Sequence, residues 1–186
     1  TTRAAGERLV GISVYDGHLH MSDQDQRQRE VHRCYERTME LLKDLRPYAP
    51  NLTEVVTSGT STFQAALSFE GFSQAGLQHT VSPGTVVFHD MRSEEENPGF
   101  QLSPAALVLA RVISNPREKH FTCDAGSKSI AAEAGDPCAI VVGHSGYQAQ
   151  SPSEEHLPFV VTEGTTPARG EPLLLIPRHV CPTVNL

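Results

Sequence analysis

No stretch of this 186-residue chain approaches the roughly 18 consecutive apolar residues that a membrane-spanning helix needs. Runs of Lys and Arg are short, and the formal net charge is −7 from 15 basic and 22 acidic side chains. That balance argues against nucleic acid as a partner, which would need clustered positive charge. The four cysteines, Cys34, Cys123, Cys138 and Cys181, are widely spaced and form no Cys-x-x-Cys. They do not read as a disulfide framework, so a reducing, cytoplasmic setting is expected. No internal repeat is present. Lysine is scarce: Lys43, Lys119 and Lys128 are the full set.

What is present is the make-up of a globular chain. Apolar side chains form 38% of it, and at this length folding can bury roughly 70% of the unfolded surface. Histidine is abundant, at nine.

Residues 8–15 read as a short buried strand closed by Asp16-Gly17. A helix is predicted from Gln26 to Arg46, with Ser22, Asp23 or Asp25 as N-cap. Val31, Cys34, Tyr35, Thr38, Leu41, Leu42 and Leu45 fall on one face of it, and Pro47 and Pro50 end it. Thr53–Thr57 reads as a second strand, followed by the small-residue loop Ser58–Thr62 and a short apolar segment, Phe63–Leu67. Strand, helix, strand implies parallel pairing.

After Gly76 the rhythm changes to short β-prone runs. These are Leu77–Val81, Thr85–Phe88, Ala106–Ile113, His120–Cys123, Ala139–Val142, Phe159–Val161 and Leu173–Ile176. Ala106–Ile113 also fits a helical period. Residues 94–97 and 148–154 read as exposed loops. The expected fold class is α/β plus β, divided as an α/β part over 1–80 and a mainly β part over 81–186. Two parallel strands make an incomplete sheet, because parallel sheets are buried on both faces. The chain therefore reads as the C-terminal half of something larger.

Five segments could carry chemistry. In His179-Val180-Cys181, an extended backbone would put imidazole and thiol on one side. That pair suits zinc in an open site, or else is a surface histidine beside a buried cysteine. Val56–Thr62 lacks the Gly-Lys-Ser/Thr of a nucleotide P-loop but could hold a phosphate on backbone N–H groups. On the local pattern alone an ordinary Ser/Thr turn with an N-cap is the favoured reading. Tyr15-Asp16-Gly17-His18 stands at the C-terminal end of a strand, where such sheets carry their chemistry. Ser153-Glu154-Glu155-His156 offers an acid/base candidate or a solvated loop. Asp124–Lys128 reads as a turn.

In this order, with Pro83–Asp90 between them, these segments resemble the D-threonine aldolase / D-serine dehydratase-like family of the alanine-racemase fold type. The His-x-Cys-Pro-Thr-Val-Asn-Leu ending is the most specific of them. The resemblance implies a TIM barrel binding pyridoxal 5′-phosphate (PLP), then a β domain, usually in a homodimer. The chain would supply the last barrel strands and the β domain. Gly59 and Thr60 match the loop that holds the PLP phosphate, with Ser58 and Ser61 beside them. Tyr15 matches a residue near the cofactor, and His179 and Cys181 match a metal pair.

Two departures stand out. The family's Schiff-base lysine lies in early barrel strands, upstream of Thr1, and none of the three lysines matches it. His156 is followed by Leu157-Pro158, where the family more often has Gly, which puts any catalytic role for His156 in doubt. A D-β-hydroxy amino acid is the implied substrate. Cys181 favours Zn²⁺ and D-serine dehydratase chemistry, whereas aldolases more often carry Asp there with Mn²⁺. A catalytically inactive remnant that binds a metal or a partner is the alternative of another class.

Overall fold

A computed structural model describes residues 6–186, and the chain divides into two compact units, Thr1–Gly84 and Thr85–Leu186. The first unit is α/β. Strands β1 (Gly11–Val14), β2 (Glu54–Thr57) and β3 (Gln78–Val81) form a parallel sheet in that order. The register pairs Ile12 with Val55 and Val55 with His79. Helix α1 (Gln24–Leu45) crosses between β1 and β2, with Asp23 as the N-cap accepting from the Gln26 N–H at 2.9 Å. Helices α2 (Phe63–Leu67) and α3 (Gly71–Gln74) connect β2 to β3.

The buried face of α1 is Val31, Tyr35, Thr38 and Leu42, the period expected of a helix packed on a sheet. Tyr35 meets Phe72 and Phe69 with ring centroids 5.3 and 5.5 Å apart, and His79 from β3 closes the cluster 4.9 Å from Phe72. Fully burying such side chains contributes about 1.5–3 kcal/mol each.

The second unit is a closed antiparallel barrel. Its strands are β4 (Val108–Arg117), β5 (His120–Cys123), β6 (Ala139–Val141), β7 (Tyr147–Ala149), β8 (Leu157–Val161) and β9 (Pro172–Pro177). Around the barrel they run β4-β5-β8-β7-β6-β9. Closure leaves no unpaired sheet edge. Inward residues alternate with outward ones, as in Leu157, Phe159 and Val161 of β8. Phe121 and Phe159 lie directly opposite in register and stack at 4.7 Å, with Tyr147 edge-on to Phe121. Helices α4 (Met91–Glu96) and α5 (Val180–Thr183) flank the barrel strands in sequence.

Four expectations change. Leu77–Val81, read as the first of the run of short β-prone segments, supplies the third parallel strand of the α/β unit. Thr85–Phe88, read as a strand, is a 3₁₀ turn over Thr85–Val87. Residues 94–97, read as a loop, fall mostly in α4, which the Asp90 carboxylate caps. Tyr147–Ala149, inside and beside an expected loop, is a strand. Ala106–Ile113 resolves to strand rather than helix, because its alternate residues Ala110 and Val112 point into the barrel core.

Candidate functional site

Two clusters of functional side chains emerge, one in each unit. The first gathers at the C-terminal ends of β1 and β2. Asp16, just past β1, is fully buried. Its carboxylate accepts the Tyr35 hydroxyl at 2.5 Å and the Thr62 hydroxyl at 2.6 Å. Burial, with the Asp16 hydrogen bond behind it, pushes the Tyr35 phenol far above its usual range. Tyr35 therefore stays a neutral donor. Thr62 in turn accepts the Gly59 N–H at 3.2 Å. From α1, the Arg27 guanidinium donates to the Ser61 carbonyl at 2.9 Å and also to Met21 O.

The loop between β2 and α2 is thus pinned from three sides. Its remaining donors are informative. Ser58 Oγ and Thr60 Oγ1 are buried with no hydrogen-bond partner, and Ser58 holds a left-handed φ of 65°. Buried hydroxyls are normally satisfied, so two orphans on one loop mark a place for an acceptor. Tyr15 is 77% exposed, and its ring lies against the loop: a Cβ built on Gly59 would meet it at 3.3 Å, and one on Gly17 would collide with it. These residues fit a phosphate bearing an apolar ring. The Gly59 N–H, one of the expected donors, is already occupied by Thr62.

The second cluster surrounds α5. His179 is its N-cap residue and Cys181 lies in its first turn. His179 is extended (φ −133°, ψ 105°) but Cys181 is helical, so the two do not lie on one continuous extended segment as His-x-Cys was read. His179 Nδ1 meets Glu133 Oε1 at 2.5 Å. Cys181 is exposed, its sulfur 3.0 Å from the Thr85 hydroxyl. Among the described residues, no group of three or more His, Cys, Asp and Glu side chains could hold a metal ion. A nitrogen and a sulfur donor fit a borderline-soft cation in an open site, with further ligands from elsewhere.

The other candidates resolve simply. His156 is exposed and its N–H closes a turn onto Ser153 Oγ at 3.3 Å. Lys128 pairs with Glu155 at 2.9 Å and Glu154 at 3.2 Å on the surface. Lys43 is exposed, and Lys119 donates to the Gly164 carbonyl. Asp90, Glu133 and the Asp16–Thr62 pairing escaped sequence reading, because each acts on a residue far away in the chain. Only the buried character of Asp16 could have been guessed, from its place right after a strand. His32 is half-buried and bonds Ser68 Oγ at 2.9 Å.

Residues 105–186 match a family described as a putative serine dehydratase domain. Over 188 residues the chain is 28% identical to a D-threonine aldolase from Arthrobacter sp, covering 97% of this chain and 47% of that protein. It superposes on the crystal structure of D-threonine aldolase from Filomicrobium marinum with a TM-score of 0.80 and 27% identity, over 95% of this chain and 46% of that one. A metal-free cysteine-to-alanine mutant of D-threo-3-hydroxyaspartate dehydratase shares the fold. Its TM-score is 0.65 at 17% identity, over 94% of this chain and 50% of the other. The chain spans about half the length of the curated relative it matches.

Proposed function

We propose that this chain, which belongs with the D-threonine aldolase and D-serine dehydratase-like proteins, supplies the C-terminal half of a lyase. That lyase depends on PLP and a divalent metal and acts on D-β-hydroxy amino acids. The observation that carries the reading is the similarity along 97% of the chain to about half of a D-threonine aldolase. The orphaned hydroxyls and the His179/Cys181 pair support the residue roles.

When bound, PLP supplies an electron sink for bond cleavage at Cα, and the metal acts as a Lewis acid on the substrate's β-hydroxyl. The chain's own side chains hold these partners. Ser58 and Thr60 donate their hydroxyls to the phosphate, with Ser61 adjoining. Arg27, Thr62 and Asp16 keep that loop in shape, and the Tyr15 ring beside Gly59 would border the bound cofactor. His179 and Cys181 hold the cation. No lysine here sits at this loop, so the Schiff-base lysine belongs to the other half of the enzyme.

Two reactions suit this machinery: β-elimination, giving a 2-oxo acid and ammonia, and retro-aldol cleavage of the Cα–Cβ bond. Cys181 favours the first, because a thiolate selects zinc over harder ions such as Mn²⁺. The likeness to D-threonine aldolases favours the second. Full-length protein incubated with D-serine and, separately, with D-threonine decides the matter. Pyruvate from D-serine supports elimination, whereas glycine from D-threonine without pyruvate from D-serine assigns the aldolase reaction. Turnover of neither by PLP- and zinc-loaded protein rejects the reading.

A further inference from the structure

We infer that Glu133 is a positioning residue for the metal pair: its carboxylate grips His179 by Nδ1 and leaves Nε2 as the ligand atom. The inference rests on the metal reading above and adds to it the group that sets the ligand's orientation and tautomer.

Glu133 Oε1 and His179 Nδ1 are 2.5 Å apart. An ionised carboxylate can only accept, so Nδ1 carries the proton in this contact. In the neutral ring the lone pair is then on Nε2. Metal-binding histidines characteristically donate their other N–H to a carboxylate or carbonyl, which fixes the ring plane and raises the basicity of the ligating nitrogen.

The carboxylate is presented by an anchored segment rather than a free loop. Ile130 and Ala131 are buried in the second unit's core. The Ala131 N–H donates to Thr183 Oγ1 at 3.2 Å, and that hydroxyl donates to the His179 carbonyl at 2.8 Å. Residues 131 and 133 are therefore latched to the α5 segment at two points, one on the Thr183 hydroxyl that also holds the His179 carbonyl and one on the His179 ring. A chance surface ion pair would need only the second. The side chains themselves are partly open, 26% exposed for His179 and 53% for Glu133, so the contact contributes little to folding stability. Its consequence is orientation.

The test uses full-length protein stripped of metal. Zinc affinity is measured by competition with a chromogenic chelator for the parent, Glu133→Ala, Glu133→Gln and Cys181→Ala, with melting temperature and PLP content recorded for each. Cys181→Ala is expected to lose zinc. Glu133→Ala is expected to bind zinc roughly 10- to 100-fold more weakly, with melting temperature and PLP content unchanged. Glu133→Gln, which keeps an accepting oxygen, is expected to fall between it and the parent. A long-range ¹H–¹⁵N spectrum of the metal-free parent should show the His179 ring protonated on Nδ1, and Glu133→Ala should lose that preference. Parent-like zinc affinity in Glu133→Ala, with zinc lost in Cys181→Ala, overturns the role of Glu133 and leaves the metal pair standing. Zinc retained by Cys181→Ala overturns the metal pair and this inference with it.

Discussion

The Asp90 carboxylate accepts the backbone N–H of Val180 at 2.8 Å, a contact spanning 90 positions of sequence. Its second oxygen accepts the Ser93 N–H at 2.7 Å, and the side chain is almost wholly buried. One carboxylate thus caps α4 and also holds the start of α5, the helix that carries Cys181 and follows His179. Two helix-start N–H groups, which have no partner within their own helices, are satisfied at once.

Asp90→Ala leaves both N–H groups buried without acceptors. It is expected to cost about 2–5 kcal/mol, read from urea unfolding followed by the barrel's aromatic signal. Asp90→Asn keeps one acceptor and should lose less than half as much. Equal losses in the two variants would contradict the double cap.

Thr62 connects Asp16 to Gly59 in the loop assigned to the phosphate. Thr62→Val, nearly the same shape, removes one of the two protein partners recorded for the buried Asp16 and releases the Gly59 N–H. The expected result is a loss of about 1–3 kcal/mol of stability and weaker PLP binding in the full-length protein. PLP affinity equal to that of the parent would separate the Asp16 network from the cofactor loop.

His79 supplies a pH dependence. Its ring is half-buried against Phe72, with Nε2 2.7 Å from the Thr57 hydroxyl. Burial lowers its pKa below the ordinary value near 6.5. The unfolded chain therefore takes up the proton at a higher pH than the folded one. The contribution is complete above about pH 6.5 and is lost as pH falls from there toward the folded value. Between pH 7 and 5, stability should fall more steeply in the parent than in His79→Asn. Identical slopes would show that His79 does not titrate with folding.

Thiol labelling separates the cysteines. Cys181 is exposed, Cys34 half-buried, and Cys123 and Cys138 buried. Burial, helped by Asp124, raises the Cys123 thiol to about 12, and burial also raises Cys138 and Cys34. Only the thiolate reacts readily. Among these four, Cys181 should label first, and zinc should protect it. Cys123 and Cys138 should label only on unfolding. Fast labelling of Cys123 in the folded protein would contradict the closed barrel core.

Helix α1 was legible because its apolar residues keep a helical period from Val31 to Leu45, and the barrel strands because β-branched runs alternate between turns. The third parallel strand was read together with the later β-prone runs because Gln78-His79-Thr80-Val81 looks like the mixed, half-polar strands that follow it. Helix α4 was missed because Glu94-Glu95-Glu96 has no apolar period, and what holds it is the cap from Asp90. The start of α5 was read as extended because it follows closely on the strand Leu173–Ile176, yet Pro182 does not oppose a helix start. Proline is tolerated in the first turn of a helix, where its absent N–H would have no partner anyway. For the candidate site, the small-residue loop and His-x-Cys were visible as local patterns. The contacts of Asp16 with Thr62, Glu133 with His179 and Asp90 with Val180 were not, because these partners lie 46 to 90 positions apart.

The most direct test of the two residue assignments is the PLP and zinc stoichiometry of full-length protein, compared among the parent, the double variant Ser58→Ala/Thr60→Val, and Cys181→Ala. The account predicts that the loop variant loses PLP and keeps zinc, while Cys181→Ala loses zinc and keeps PLP. Parent-like PLP in the first, or parent-like zinc in the second, would contradict it.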